Sequence, residues 1–449
     1  MLNRSQCQKI IDHAIAYAAS RVQGTEVSIE SSTVSTSRFA QGNMTQNQAP
    51  YAAKVSLRVL ANGRQARVET SDLSNAGISK AVDNAVAAAK LLPKDAHMLE
   101  LPNLADASEY LTVDRFDSAT AAITAQDRAT LIKEIDTIAR GSQLKVSGQI
   151  STGTRCVAIG NSNGLFQFHE ETSAECSVTM ETGSSSGWAK ANSVKASDLQ
   201  ISELAQTAAR NAVLTKEPAE VSPGRYTVVL TPSAVLDLLS YLWYDFSATS
   251  HKDKMSSLVE KLDSQVFNSQ IQINDDCSHP LQSGEPFDGE GLPRKKLTLV
   301  ENGLFKSMVY GRRMAHEFQR ASTGHGLREP SPQGEMPLNI VVSGGGSRLS
   351  DMIETTERGV FVSRVWYVRL VDPASVLLTG MTRDGTFLIE DGKLKCGILN
   401  LRFNVSVIEL LNSILALGPA VRAAGEEGIP AVVPPMKVTA FNFTSSARH

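Results

Sequence analysis

The side chains best suited to chemistry in this chain are eight histidines and five cysteines spread over 449 residues. Two histidines have a glutamate beside them, His169-Glu170 and His316-Glu317. That is half of an arrangement zinc peptidases use, in which two imidazoles about one helical turn apart hold the ion while the carboxylate activates its bound water. Neither half is completed. Ser173 and Ala174 stand where a second ligand would follow His169, in a stretch that alternates like a strand. After His316 the same places hold Arg320 and Ala321, and a guanidinium there repels a cation. Cys277 and His279 leave a structural zinc site short of its four ligands, so they read as a loop thiol beside a surface imidazole. Cys7, Cys156, Cys176, Cys277 and Cys396 are odd in number and include no CxxC pair, which suggests a reducing compartment rather than a disulfide framework.

Other polar clusters read more plainly. Gly344-Gly-Gly-Ser347 resembles an anion nest but has no lysine at Walker spacing, so it reads as a loop. Ser-His-Asp partners cannot be paired from one sequence, and a serine hydrolase has no positive support. Arg294-Lys-Lys296 enters a strand and Arg312-Arg313 starts a helix, and both read as solvated faces. His325 and the turn Arg383-Asp384-Gly385 sit in polar loops, where sites tend to lie, and are candidates for contact with a peptide or a partner.

The elements that would position these residues follow from periodicity. Apolar residues at Ile10, Ile11, Ala14, Ile15 and Ala18 predict an N-terminal helix, with no apolar block of a signal peptide. Val55, Leu57 and Val59 alternate with Lys54, Ser56 and Arg58, and Asn62-Gly63 supplies a tight turn, so residues 51–70 read as a half-buried hairpin. Ile78, Val82, Val86 and Ala89 predict a helix ended by Pro93, and Leu131 to Ile138 another that stops near Gly141. Two strands flank Asn163-Gly164, and a long helix covers 197–214. The Pro-, Glu- and Gly-rich stretch 216–224 marks a boundary between domains at 1–217 and 224–449. Beyond it, turns at Asn302-Gly303, Asp384-Gly385 and Asp391-Gly392 separate short strands, with helices near 233–244, 350–357 and 406–415. The expected fold is α+β: an N-terminal mixed sheet with helices on one side, and a β-dominated, curved or barrel-like C-terminal domain.

Composition narrows the function. The chain has 42% hydrophobic and 20% charged residues, which suits a soluble globular protein. Forty-four Lys and Arg against 47 Asp and Glu leave a formal charge of −3, so no field gathers phosphates and direct nucleic-acid binding is not indicated. No run approaches the ~20 apolar residues of a membrane span. The simplest placement is cytoplasmic.

Several stretches together resemble the TldD/PmbA family, whose PmbA branch is also called TldE. They are Ser37-Arg-Phe-Ala-Gln-Gly-Asn-Met-Thr-Gln46, the hairpin with its helix, Pro223-Gly-Arg-Tyr-Thr-Val-Val-Leu-Thr-Pro232, Thr298-Leu-Val-Glu-Asn-Gly-Leu304, Ser322-Thr-Gly-His-Gly326 and Thr386-Phe-Leu-Ile-Glu-Asp-Gly392. The resemblance implies a metallopeptidase lineage whose catalytic branch holds its metal with a helical HExxxH motif and a cysteine near the C-terminus. Carried onto this chain, the motif positions read Ser240-Tyr-Leu-Trp-Tyr-Asp245, so ligand, base and second ligand become Ser240, Tyr241 and Asp245. The cysteine's position, in Arg422-Ala-Ala-Gly-Glu-Glu-Gly428, becomes Ala424. That pattern is similar to the TldE branch, which implies no metal in this chain and a zinc-type metal in a TldD-like partner. The expectation is a non-metal-binding subunit, in a heterodimer or a homodimer, of a complex that degrades unstructured peptides. Two rivals remain: a regulatory protein acting indirectly on DNA gyrase, in line with the family's label as a gyrase modulator, and a metal-independent homodimeric hydrolase using Asp245, His316 or His325.

Overall fold

The computed structural model describes residues 1–108, 111–183, 185–426 and 428–447. Seven strands of the first half make one antiparallel sheet: β1 (Gly24–Ala40), β2 (Asn43–Gln48), β3 (Tyr51–Ala61), β4 (Arg64–Thr70), β5 (Lys145–Asn161), β6 (Phe166–Thr182) and β7 (Ser185–Ser193). Their order is β4-β3-β1-β5-β6-β7, with β2 also on β1. Asn62 and Gly63, at φ of 52° and 73°, reverse β3 into β4.

The helices are α1 (Arg4–Ala18), α2 (Asn75–Leu91), the short α3 (Ser118–Ala121), α4 (Ala125–Gly141) and α5 (Ile201–Leu214). Thr124 and Asp127 close a capping box at the start of α4, which fixes its first turn. Val27, Ile29, Leu57 and Ala158 pack under α1 and α2, and Phe39, Ile150, Val178 and Met180 under α4 and α5. Within each strand these residues are an even number apart, so the helices share one face of the sheet, as expected. The helix expected over 197–214 is broken: Gln200 turns left-handed at φ 46°, separating a 3-10 turn, Ala196–Leu199, from α5. Leu199 and Ile201 both reach the core as a result.

The sheet's second face is where the half-buried hairpin needs correction. Ser56 and Arg58 are as buried as the apolar residues between them. Arg58 donates to Gln65 Oε1 at 2.8 Å and lies 3.5 Å from Glu26, which is itself closed to solvent. Arg67 pairs with Glu26 at 2.5 Å and donates to the Glu329 carbonyl in the second half of the chain. Val157, Ile159 and Leu165 meet Phe287 on the same side. The second half therefore covers this face with a paired charged layer, which in sequence looks like a solvent face.

The second half builds two further sheets. In one, Val365–Asp372, Leu377–Thr382, Asn400–Ser406, Met436–Ala447, Gly224–Leu230, Arg358–Val362, Thr386–Glu390 and Lys393–Gly397 lie in that order, with Ile414–Leu417 beside Met436–Ala447. The other has six short strands, including Ile273–Asp275, Ile340–Val342, Ala431–Val433 and Val421–Ala423. Register shifts bend several pairs, and both sheets stay open rather than closing into a barrel. Among the described residues no helix is long and apolar enough to cross a membrane.

Between the sheets runs α6 (Pro232–Leu239), capped by Thr231 and opened by Pro232. The helix expected over 233–244 tightens at Ser240 into a 3-10 segment, Ser240–Phe246. At about 3.0 residues per turn, Ser240 and Asp245 lie about 120° apart around its axis.

Candidate functional site

Residues 234–239 of α6 are all buried, and one of them is an acid, Asp237, 1% exposed. A carboxylate in such a place must find donors. Its Oδ2 accepts from the Glu426 N–H at 2.8 Å and its Oδ1 from the Gly428 N–H at 2.9 Å. Gly425 comes so close that a Cβ there would stand 2.1 Å from Oδ1, so glycine alone fits. The Gly-rich loop is thus fastened to the helix that leads into Ser240–Asp245.

Cations hold the loop from both flanks. Before it, Arg422 donates to Asn192 Oδ1 on β7 at 3.0 and 2.8 Å, to the Leu281 carbonyl at 3.0 Å and to Ser283 Oγ at 2.8 Å. Burial lowers its pKa to about 10, against the pull of Glu171. Lys190 donates to the Gly425 carbonyl at 3.2 Å. Arg364 pairs with Glu426 at 2.6 Å and with buried Asp384, and its guanidinium lies 4.2 and 4.8 Å from the Trp188 and Trp366 rings.

The motif positions are placed as follows. Ser240 donates to the Asp237 carbonyl at 3.1 Å, and Tyr241 donates its hydroxyl to the Val368 carbonyl at 2.7 Å. Asp245 turns the other way: its Oδ2 accepts from the Ser257 N–H at 3.0 Å and the Ser257 hydroxyl at 2.5 Å. Burial raises its pKa, and those two bonds only partly oppose it. Ala424 is buried and has no donor atom. Ser240 and the loop of Ala424 are therefore brought together through Asp237, and Asp245 is not with them. A hydroxyl, a phenol already donating to a carbonyl, a methyl group and a carboxylate facing elsewhere do not fit a divalent metal. Among the described residues no group of three or more His, Cys, Asp or Glu could hold one.

The remaining candidates sit differently from a polar-loop reading. His325 is wholly buried, with Nδ1 2.9 Å from Thr323 Oγ1 and Nε2 3.1 Å from Asp275 Oδ1 in poor alignment, so it meets no solvent, peptide or partner in this form. Burial pushes the Asp275 pKa up, but His325, Arg294 and the Asn339 N–H outweigh it and leave it lowered. Asp384, at φ 54°, is buried and accepts from Ser186 Oγ at 2.5 Å. Arg383 is half exposed over Trp366, 4.8 Å from the ring centroid. Asp384 and Arg383 thus flank the Arg364 cluster. Arg294 is buried rather than solvated, and Cys277 is a loop thiol, in the turn after Ile273–Asp275, that is closed to solvent. Arg312 and Arg313 pair with Glu290 and Asp95.

Gly160-Asn-Ser-Asn-Gly164 has the Gly-x-Ser-x-Gly spelling of a nucleophile elbow. It forms the β5–β6 turn, strand to strand, with Ser162 Oγ accepting from the Thr25 N–H at 3.1 Å. Sequence reading passed over Asp237, although an acid in an otherwise apolar helix was a usable signal. Trp188, Lys190 and Arg364 carried none.

One sheet from the first half, two open sheets whose strands interleave along the second and a helix-anchored Gly-rich loop make up the architecture of a PmbA/TldD-type metallopeptidase chain. Residues 25–89 match the PmbA/TldA metallopeptidase domain 1, 118–215 the central domain and 223–445 the C-terminal domain, and the chain belongs to this family. An uncharacterized protein of Methanocaldococcus jannaschii is 29% identical over 231 residues, 50% of this chain and 54% of that protein. A metalloprotease TldD homolog of Buchnera aphidicola is 26% identical over 227 residues, 49% of this chain and 46% of that protein. The chain thus spans about half the length of these two curated relatives. The crystal structure of TldE from Thermococcus kodakarensis superposes with a TM-score of 0.87 at 19% identity, covering 98% of this chain and 100% of that one. At that identity the likeness is one of fold.

Proposed function

We propose that this chain is the non-metal-binding subunit of a cytoplasmic metallopeptidase complex that degrades or processes unstructured peptides. Its partner is a TldD-like subunit with an HExxxH motif and a zinc-type metal. The observation that carries the reading is the scaffold around Asp237. The helix and the Gly-rich loop that would present metal ligands are locked together, through the Glu426 and Gly428 N–H bonds to Asp237 and a glycine whose place a Cβ would crowd, while Ser240, Tyr241 and Ala424 offer no ligand set. A chain kept in that shape without the ligands suits a wall of a shared chamber, where main-chain contacts to an extended peptide supply the grip. The hydrolase rival is less favoured, because Asp245 and His325 are each engaged by different neighbours and His316 lies exposed on the helix Arg312–Glu317.

The test is co-expression with an HExxxH-bearing relative from the same genome, followed by mass measurement of the purified material and digestion of an unfolded polypeptide. A stable complex whose cleavage exceeds that of the partner alone is expected. Separate elution of the two chains with unchanged cleavage refutes the reading.

A further inference from the structure

A cleft of about 390 Å³ lies between the two halves, behind the loop just described. β6 and β7 form one wall, and residues 282–285 with Leu338, Asn339 and Arg422 form the other, with Ile429 and Pro430 at its edge. Its charges are divided. At one end Glu171 and Glu285 lie 2.9 and 2.7 Å from Arg155, which also holds Glu30, so those carboxylates are already engaged.

At the other end no carboxylate touches Arg422, although Glu171 acts on it at longer range and buried Asp275 and Asp288 act on Arg294. The Arg422 guanidinium is bound only by neutral oxygens, of Asn192, Leu281, Gln282 and Ser283, and the contact to Gln282 is long at 3.4 Å. No carboxylate lies within 4.0 Å of it among the described residues. Arg294, 5% exposed and also lining the cleft, has a buried Nε with no hydrogen-bond partner. The N–H groups of Ser283, Gly284 and Glu285 donate to no protein acceptor among the described residues. Gly284 has to be glycine, because a Cβ there would fall 1.5 Å from Asn339 Oδ1. A half-buried Arg422 held by neutral acceptors, together with idle backbone donors, is suited to an incoming anion, since charge-assisted bonds are about twice as strong as neutral ones. Beside them Leu338, Pro430 and the largely exposed Ile429 offer an apolar surface.

We propose that this cleft receives the free carboxylate terminus of an extended peptide, with Arg422 as its counter-charge, the 283–285 amides as donors and the last side chain against Ile429 and Pro430. The proposal rests on the peptide-handling reading above and names the part of the substrate this chain recognises. A terminal carboxylate with an apolar residue next to it matches the joined cationic and apolar surfaces better than a bare inorganic anion, which would leave the apolar part unused.

The test uses the full chain alone, without partner or metal, and fluorescence anisotropy of an N-terminally labelled unstructured peptide ending in leucine. The free acid is compared with the C-terminal amide, and with an amide carrying glutamate next to the last residue. The free acid should bind at least tenfold tighter than either amide, and inorganic phosphate should compete only weakly. Arg422→Gln should bring acid binding down to the amide level. Because Arg422 also ties the halves together, Ile429→Asp serves as a second variant that leaves those bonds in place and sets a like charge beside the bound carboxylate. It should weaken the acid and spare the amide. Equal affinity of acid and amide, binding of the internal glutamate peptide as tight as the free acid, or acid preference surviving both variants overturns the proposal, as does no binding at all. None of these results bears on whether the chain pairs with a TldD-like subunit, so the two readings fail separately.

Discussion

Replacing Asp237 by alanine is the sharpest perturbation of the helix–loop junction. Among the contacts it removes are the hydrogen bonds from the Glu426 and Gly428 N–H, at 2.8 and 2.9 Å, to a carboxylate that is 1% exposed. Hydrogen bonds to charged groups contribute about 1.5–3 kcal/mol each, so these two contribute roughly 6 kcal/mol at most. Two effects lower it. Burying the carboxylate is itself costly, and the loop backbone at exposed Glu426 can turn to water once released. A net loss of about 2–4 kcal/mol is expected, with Asp237→Asn losing about half as much, because its amide keeps one acceptor and sets a donor against the other N–H. The assay is urea unfolding followed by tryptophan fluorescence, with hydrogen exchange of the Glu426 and Gly428 amides. Exchange at those two amides should speed up well before global unfolding. An alanine variant with an unchanged urea midpoint and unchanged protection of both amides would refute the assignment of Asp237 as the loop's anchor.

Gly425→Ala should cost about 1–3 kcal/mol by driving a methyl into Asp237 Oδ1, and the double variant with Asp237→Ala should lose less than the sum, since the clash partner is gone. Arg364→Met should destabilise by roughly 3 kcal/mol, read from thermal unfolding, because Asp384 is left as a buried charge with its main partner removed. The same variant should change the emission of Trp188 and Trp366, and unchanged emission and stability would contradict the stacked ion pair. Glu290 gives a pH prediction: burial, then its neighbour Asp288, raises its pKa from 4.5 to about 7, against the pull of Arg312. Between those values the folded chain binds a proton that the unfolded chain lacks, so this group's stabilisation is complete below 4.5 and lost as pH rises through about 7. Glu290→Gln should flatten that part of the Tm-versus-pH curve, and an identical curve would show the carboxyl ionises normally.

Local signals in the sequence carried the hairpins and most helices. Asn62-Gly63 and Asp391-Gly392 take the positive φ angles their dipeptides favour, and α4 runs from its capping threonine to Gly141. What stayed hidden depended on the second half of the chain. Arg58 and Ser56 alternate with valines and leucine as a solvent face would, yet Glu26, Gln65 and loops of the second half around Glu290 and Glu329 bury them. Arg294 leads into a strand as a solvated face would and His325 stands in a polar loop by composition, yet both lie inside by packing, near Asp275. The change at Ser240 from α-helix to 3-10 has no mark in local propensity, and neither has Ser257, twelve residues on, which holds Asp245 away from Ser240. The substituted motif positions were readable from the family resemblance alone, and the Asp237 anchor that keeps their scaffold needed the fold.

The central claim is that this chain keeps the frame of a metal site and leaves the metal to another subunit. It is tested most directly by incubating the purified full chain with excess zinc, removing free ion by gel filtration and measuring bound metal by mass spectrometry, alone and in complex with an HExxxH-bearing relative. The account predicts essentially no retained zinc for the chain alone, and zinc in the complex that disappears when the relative's motif histidines are replaced. One tightly held zinc per copy of the lone chain would contradict it.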